Sequence, residues 1–286
     1  MKGFLNYLKG LAMGVCSLIP GVSGGTMALI LGVYERLISA IGSFSVKKSI
    51  ACFKFNKSSK EKRLSRSYVK SLDLPFVLTV VSGSLTMLFV GATGILKLLE
   101  VHYAYTISFF IGLIVASGFF IYHQIKDHKL STTIVFTLLG IILGVSFLFI
   151  VPHNLTNPPF WYLVLAGFFG VSALFFPGIS GSLILLLLGV YEFMLSVVSD
   201  PFSNLISIGG FGIGMLVGAV LVSKLIAYLL KKYHSATLYF LIGLIVGSLV
   251  IPIRKVLLSG IPNYLLTGIF FALGFIVVLV LERANL

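Results

Sequence analysis

Long apolar runs alternate with short polar segments along most of the chain. From residue 74 onward, these runs fall near 74–96, 105–122, 132–151, 205–229, 237–253 and 263–281. An α-helix needs about 20 apolar residues to cross the ~30 Å hydrocarbon core of a bilayer. The pattern therefore predicts six transmembrane helices.

Two further apolar segments, 5–41 and 161–198, are each interrupted by a Pro-Gly pair. The pairs are Pro20-Gly21 and Pro177-Gly178. The arm before each pair has roughly 14 to 16 residues, which is about 21 to 24 Å of helix. Because this is shorter than the hydrocarbon core, we expect each segment to enter the membrane, turn near its middle and return as a re-entrant hairpin.

The two halves of the chain repeat each other. Pro20 to Ser39 and Pro177 to Ser196 share 11 of 20 residues, and Thr106 to Ser117 and Thr237 to Ser248 share eight of 12. We therefore divide the chain into repeat 1, residues 1–151, and repeat 2, residues 152–286. Each has one broken segment followed by three helices, and repeat 1 has an extra basic loop, 42–72.

Composition supports a membrane protein and excludes several classes. Hydrophobic residues make up 58% of the chain and charged residues 10%, which excludes a soluble domain, a disordered chain and a disulfide scaffold. Cys16 and Cys52 have no metal-ligand spacing, and we expect neither a metal nor a cofactor. Glycines four residues apart, as in Gly210, Gly214 and Gly218, or Gly140 and Gly144, predict close helix packing.

The net charge of +13 tests the topology. Cytoplasmic loops collect Lys and Arg. If both broken segments return to their starting side, 18 of the 21 basic residues face the cytoplasm, including nine between Lys47 and Lys70. Both termini are then cytoplasmic and repeat 2 is inverted. The sequence thus predicts an all-α polytopic membrane protein with two inverted-topology repeats, each a Pro-Gly-broken re-entrant hairpin plus three transmembrane helices, and no nucleic-acid partner.

Small polar residues follow both Pro-Gly turns and predict an anion site. Helix N-termini carry partial positive charge and free N–H groups, and Ser and Thr are common N-caps. Two such ends near the membrane midplane would suit a phosphate or carboxylate. In the alternative interpretation, these hydroxyls only satisfy their own backbone. The candidate residues are Ser23, Gly24, Gly25, Thr26, Ser180, Gly181 and Ser182.

Five charged residues are candidates for gating or ion coupling: Glu35, Glu192, Lys97, Lys224 and Arg36. Glu35 and Glu192 are repeat-related, as are Lys97 and Lys224. Glu35 lies 12 residues after Ser23, about 18 Å along a continuous helix, which would place it towards the cytoplasmic surface. Interfacial anchoring or Glu–Lys pairing is the alternative interpretation.

The Pro-Gly-x-Ser-Gly turns and the Gly-Val-Tyr-Glu endings resemble those of the family once called domain of unknown function 368. Its members are polyprenyl-phosphate translocases of bacterial plasma membranes, which return undecaprenyl phosphate to the cytoplasmic leaflet for reuse. The resemblance implies a lipid-linked phosphate as the substrate. The loop from Lys47 to Lys70 would then also attract anionic lipids, at about 1 kcal/mol for each basic residue near the surface.

Two other function classes remain open. The turns also resemble those of undecaprenyl-diphosphate phosphatases, but Gly24 and Gly181 stand where those enzymes have arginine. Phosphoryl transfer needs such cations, so we expect no catalytic residues. A small-anion transporter or channel would also use the anion site. The oligomeric state is open as well, because the glycine stripes fit contacts within one chain or between chains.

Overall fold

The computed structural model describes residues 2–18, 23–52, 59–125, 128–149, 155–200, 202–261 and 263–285. Within these ranges all regular secondary structure is helical, which confirms the all-α prediction. The helices of the first half are α1 (Lys2–Leu18), α2 (Gly24–Ile30), α3 (Tyr34–Gly42), α4 (Val46–Cys52), α5 (Ser59–Ser71), α6 (Leu74–Thr86), α7 (Ala92–Val101), α8 (Tyr103–Gln124) and α9 (Leu130–Ser146). A short π-helix, Met87–Gly91, joins α6 to α7.

The second half begins with three helices in the same order as the first: one longer helix and two short ones. Its helices are α10 (Phe160–Leu174), α11 (Gly181–Leu187), α12 (Tyr191–Ser199), α13 (Leu205–Lys232), α14 (His234–Ser248), α15 (Val250–Leu258) and α16 (Tyr264–Asn285). The broken segments of the two halves thus become the triplets α1–α2–α3 and α10–α11–α12.

Five helical stretches of the described chain are long and apolar enough to cross a membrane, or six if the bent pair α2 and α3 forms one span. The five stretches are Glu61–Gly91, Tyr103–His123, Leu130–Phe149, Leu205–Lys232 and His234–Leu258. Many large apolar side chains on their outer faces are exposed, as lipid contact requires. The protein is therefore a multi-pass membrane protein.

Helix packing links the halves reciprocally. Within each half, the first helix of the triplet packs on the following long helix, α1 on α6 and α10 on α13. Between halves, α8 packs on α16 and α14 packs on α9. Since α8 and α14 carry the second repeated sequence, each half uses the same helix to hold the last long helix of the other.

Glycine makes the contact between α9 and α14 close. A Cβ at Gly140 would overlap the Phe240 carbonyl, and one at Gly243 would overlap the Thr137 carbonyl. Inside a membrane, helices gain no hydrophobic stabilisation by packing together, because the lipid tails are as apolar as their side chains. Close backbone contact instead stabilises a helix pair through van der Waals packing.

The expectation of one continuous helix after each turn is wrong. α2 ends at Ile30 and α3 begins at Tyr34, with a bend of 117° between them. Gly32 has φ +64°, and the Val33 N–H donates to the Ala28 carbonyl at 2.9 Å, which is a Schellman-type helix end. Gly189 has φ +71° and ends α11 in the same way, with Val190 donating to the Leu185 carbonyl.

Because of these breaks, the two glutamates do not lie where a continuous helix would place them. Glu35 and Glu192 lie in the first turns of new helices, α3 and α12, and not far along α2 and α11. The ~18 Å displacement of Glu35 along one helix is therefore incorrect. A carboxylate in a first turn is favoured by the helix dipole, which gives both acids a local role in starting these helices.

The basic segment 42–72 is largely helical. It forms α4 and α5, and residues 53–58 lie outside the described residues. Tyr68 of α5 is buried, and its hydroxyl accepts a hydrogen bond from the Ser45 N–H at 3.0 Å and lies 2.8 Å from the Ser49 hydroxyl. The high charge of the segment hides this apolar position from a hydropathy pattern.

Candidate functional site

The first turn leads into α2 through Ser23. Ser23 is the N-cap residue, and its hydroxyl accepts a hydrogen bond from the Gly25 N–H at 3.2 Å. The same hydroxyl lies 3.5 Å from the Phe176 carbonyl of the other half. Ser23 and Thr26 are each 1% exposed. Pro20 and Gly21 lie outside the described residues, so the start of this turn is not part of the site geometry.

The second turn follows α10 and leads into α11. Pro177 and Gly178 are buried, and Gly178 has φ +87°. A Cβ at Gly178 would lie 2.6 Å from the Ser248 hydroxyl oxygen, so both conformation and space favour glycine. Ser180 is the N-cap residue but makes no side-chain cap bond. Its hydroxyl pairs instead with the Ser182 hydroxyl at 2.8 Å.

The two turns touch each other. The Gly178 N–H donates to the Thr26 hydroxyl oxygen at 2.9 Å, across 152 positions of sequence. A Cβ at Gly25 would lie 2.5 Å from the Leu174 carbonyl, so α2 meets the end of α10 at backbone distance. The structure thus brings the candidate residues of the two halves together.

Tyr34 also joins the halves, and the sequence assigned it no role. Its hydroxyl donates to the Phe175 carbonyl at 2.6 Å, and the side chain is buried. The Phe175 carbonyl, just after the end of α10, therefore receives its donor from the first half. The repeated Gly-Val-Tyr-Glu ending could have drawn attention to Tyr34, but the hydrogen-bond partner of Tyr34 lies 141 positions away in sequence.

The two short helices after the turns differ in burial. In α2, the buried residues are Gly24, Gly25, Thr26, Met27, Ala28 and Ile30. In α11, every residue is only partly buried. The sequence explains this difference, because small Gly25 and Ala28 let α2 approach the neighbouring helices, whereas bulkier Ser182 and Leu185 occupy the matching positions of α11.

Two of the charged candidates, Glu35 and Arg36, have partners in the structure. A carboxylate oxygen of Glu35 lies 3.6 Å from His234 Nε2 at the start of α14. Arg36 Nε donates to an Asp73 carboxylate oxygen at 2.6 Å, and its guanidinium lies 4.0 Å from the centre of the Phe76 ring. Arg36 therefore holds the joint between α5 and α6 against α3.

The other three charged candidates are exposed. Lys97, Glu192 and Lys224 form no ion pair with any part of the chain that the structure describes. None of the charged candidates makes a hydrogen bond or ion pair to the turn residues within the same ranges. The turns thus present hydroxyls and backbone groups, and the two charged candidates with partners, Glu35 and Arg36, make those contacts elsewhere.

Comparison with known proteins covers nearly the whole chain. Residues 13–263 match the undecaprenyl phosphate translocase-like family. A polyprenyl-phosphate transporter of Vibrio cholerae is 34% identical over 249 residues, covering 87% of this chain and 77% of the relative. One of Staphylococcus aureus is 32% identical over 297 residues, covering 98% of this chain and 96% of the relative. No solved structure matches significantly.

The matched range includes both turns, both short helices and the contact between them. The repeated motifs, the helical membrane architecture and the similarity over most of the length all agree. The chain belongs to the undecaprenyl phosphate translocase-like family.

Proposed function

We propose that the protein transports polyprenyl phosphate, and specifically undecaprenyl phosphate, across the bacterial plasma membrane towards the cytoplasmic leaflet. Such transport returns the carrier lipid for another round of cell-envelope synthesis. Family membership and two relatives named polyprenyl-phosphate transporters support this substrate. The observation that carries the proposal is the contact of the two turns through Thr26 and Gly178, because it gathers polar groups from both halves within an apolar protein.

The proposed topology is a pair of inverted repeats with two re-entrant hairpins. The reciprocal packing of α8 on α16 and α14 on α9 supports two equivalent halves. α1 has 17 residues, or about 26 Å of helix, which is shorter than the ~30 Å membrane core. The inversion places 18 of 21 basic residues and both termini on the cytoplasmic side.

The proposed phosphate contacts are the residues after each turn: Ser23, Gly24, Gly25, Thr26, Ser180, Gly181 and Ser182. The Ser180 and Ser182 hydroxyls bond to each other and can turn to donate to phosphate oxygens instead. The Ser23 hydroxyl is held by the Gly25 N–H and faces Phe176, so it reaches a phosphate only when the two turns separate. The second turn is therefore the first point of contact, and the first turn completes the site.

The charged candidates are proposed to act outside this site. Glu35 with His234, and Arg36 with Asp73, fasten α3 to α14 and to the α5–α6 joint. Opening these pairs would free α3 to move, which gives Glu35 and Arg36 a gating role. Glu192, Lys97 and Lys224 are exposed and are available to anionic head groups. The basic residues of the Lys47 to Lys70 segment are proposed to attract anionic lipids to the cytoplasmic surface.

The enzyme alternative has less support. The relatives are named transporters, and Gly24 and Gly181 offer no cation to a transferring phosphoryl group. We expect purified protein to release no inorganic phosphate from undecaprenyl diphosphate. Sustained phosphate release, absent from a Ser23→Ala variant, would assign the protein to the phosphatases instead.

The deciding experiment is transport in proteoliposomes with labelled undecaprenyl phosphate. Wild-type protein should move the label between leaflets, and the double variant Ser23→Ala with Ser180→Ala should not. A matched double variant, Ser82→Ala with Ser196→Ala, removes one exposed serine hydroxyl from each half and should transport normally. Absence of transport by the wild type would refute the proposed function, and full transport by the first double variant would refute the phosphate site.

A further inference from the structure

A cavity of about 900 Å³ lies between α3, the basic helices α4 and α5, the start of α6, and α13. Its wall is almost entirely apolar and includes Phe44, Val77, Leu216, Val217 and Val220. Leu216 and Val217 are exposed on the outer face of the long apolar helix α13. The cavity therefore opens sideways, towards the lipid that surrounds α13.

A second cavity of about 860 Å³ adjoins the first and is more polar. Its wall includes Ser43, Ser45, Ser67, Lys48 and Lys224, with Glu61 as an acidic residue. Phe44, Tyr68 and Lys224 line both cavities. An apolar space and a basic polar space thus meet at Lys224.

Specific side-chain contacts hold the helices at the boundary between the two cavities. The Tyr68 hydroxyl joins α5 to Ser45 and Ser49, and Lys48 Nζ lies 5.8 Å from the centre of the Tyr68 ring. Arg36, through Asp73, holds the far end of α5. These contacts place α4 and α5 as a lid over the two cavities.

We propose that this pair of cavities, here called the lateral groove, binds the polyprenyl monophosphate carrier as a station separate from the two turns. The first isoprenoid units occupy the apolar cavity, and the phosphate lies between Lys48 and Lys224. The remaining tail stays in the bilayer. This inference rests on the proposed function for its choice of lipid.

The shape and charge of the groove favour this lipid over a phospholipid. A phosphate monoester carries a charge of about −1.5 to −2 at neutral pH, which suits two ammonium groups. A phospholipid diester carries one charge and brings two acyl chains, whereas the groove offers one apolar space. The apolar volume lies within the ~300–1,000 Å³ typical of ligand pockets, so it can enclose part of a single chain.

The first experiment locates the lipid. Purified full-length protein is labelled with a photoreactive undecaprenyl phosphate, and the labelled peptides are mapped. We expect label on α3–α5 and α13 as well as at the turns. Excess phosphatidylglycerol should not reduce labelling of the groove. A photoreactive undecaprenol, which lacks the phosphate, should not label the groove.

The second experiment blocks the apolar cavity. Val217→Trp fills it, and Ile213→Trp is the matched control because Ile213 is an exposed aliphatic residue one turn earlier on α13 and does not line it. Val217→Trp should lower groove labelling about tenfold or more, because the indole ring would occupy the space proposed for the isoprenoid chain. Labelling at the turns should not change.

The third experiment removes the charges. Lys224→Gln and Lys48→Gln should each weaken groove labelling about tenfold, the usual result of losing one charged partner. Lys231→Gln, at the end of α13 and away from both cavities, should have no effect.

The outcomes separate the two proposals. If the wild type transports the lipid but the groove is unlabelled, or Val217→Trp and Lys224→Gln match their controls, the lateral groove is refuted and the proposed function stands. If phosphatidylglycerol competes equally, the groove is an ordinary phospholipid site and the inference is wrong. If the wild type transports nothing, the proposed function fails, whatever the labelling pattern.

Discussion

The helix after the first turn, α2, is buried and capped by a side chain, whereas the helix after the second turn, α11, is only partly buried. Ser23 caps α2, Thr26 holds Gly178, and Gly25 lies against the Leu174 carbonyl. In the second half, Ser180 makes no cap bond and pairs with Ser182. Two repeated motifs thus have different surroundings, and their sequences differ at the positions involved: Gly25 against Ser182, Thr26 against Leu183 and Ala28 against Leu185.

This difference matters for a transporter with a repeated architecture. Equivalent halves can exchange roles when the protein changes conformation, but in one conformation only one half can hold a given contact. Here the first half supplies the hydroxyl and the second half supplies the amide. Both turns are therefore engaged in this one contact, and the two halves contribute different groups to it.

The largest effect is expected from Gly25→Ala. The new Cβ would lie 2.5 Å from the Leu174 carbonyl, which is backbone and cannot easily move. We expect a loss of about 3 kcal/mol in stability, the upper end for overpacking, together with loss of transport.

Thermal unfolding in detergent and the proteoliposome assay would measure these effects. Gly212→Ala is the control because nothing lies within 4 Å of its added Cβ, and Ser182→Ala tests the repeat-related position. If Gly25→Ala were as stable as Gly212→Ala, the close contact of α2 with α10 would be wrong.

The next effect is expected from Thr26→Val, which keeps the shape and removes the oxygen that accepts from Gly178. A buried N–H without a partner costs about 1 to 3 kcal/mol. Thr133→Val is the control, since Thr133 is a half-buried helical residue whose hydroxyl donates to the nearby Lys129 carbonyl at the start of α9. Hydrogen exchange of the Gly178 amide should increase in Thr26→Val. Unchanged exchange there would show that the two turns are not joined by this bond.

Ser23→Ala and Ser180→Ala should give opposite rankings in two assays. Ser23→Ala removes a cap and should cost about 1 kcal/mol of stability, while Ser180→Ala removes no cap bond and should cost less. In transport at limiting substrate, Ser180→Ala should be the more damaging, because the Ser180 hydroxyl pairs with Ser182 and is not engaged in capping a helix. The same ranking in both assays would argue against a division of roles.

The smallest effect is expected from Tyr34→Phe. It removes the donor to the Phe175 carbonyl and should cost about 0.5 to 1 kcal/mol, since a carbonyl tolerates a lost partner better than an N–H does. Tyr191→Phe, at the repeat-related and half-buried position, should change stability less. Equal melting temperatures for the two variants would show that the Tyr34 hydrogen bond does not stabilise the first half more than Tyr191 stabilises the second.

Local sequence patterns predicted the N-caps and the helices but missed the breaks after the turns. Ser23 and Ser180 were predictable as N-cap residues because capping depends on neighbours within three residues. The helix ends at Gly32 and Gly189 were also encoded locally, by glycine at a C′ position, but apolar residues on both sides hid them. The helices α4 and α5 were missed because charge dominates their composition.

Long-range contacts were beyond the sequence. The partners of Thr26, Tyr34 and Arg36 lie 152, 141 and 37 positions away. A side chain at such a distance can meet many groups, and only helix packing selects one. The lateral groove likewise forms between α13 and helices of the other half, so no local sequence motif predicts it.

From the sequence alone it follows that the chain is helical, crosses a membrane several times, repeats itself and has serine at the N-cap position after each Pro-Gly pair. Apolar periodicity, charge and capping act over a few residues, so they can be read in order along the chain. Only the packed helices show that the two turns touch, that α2 is buried while α11 is partly buried, and that an apolar cavity and a basic polar cavity lie beside α13. These features depend on which backbones approach each other, and that is settled only when all helices pack together.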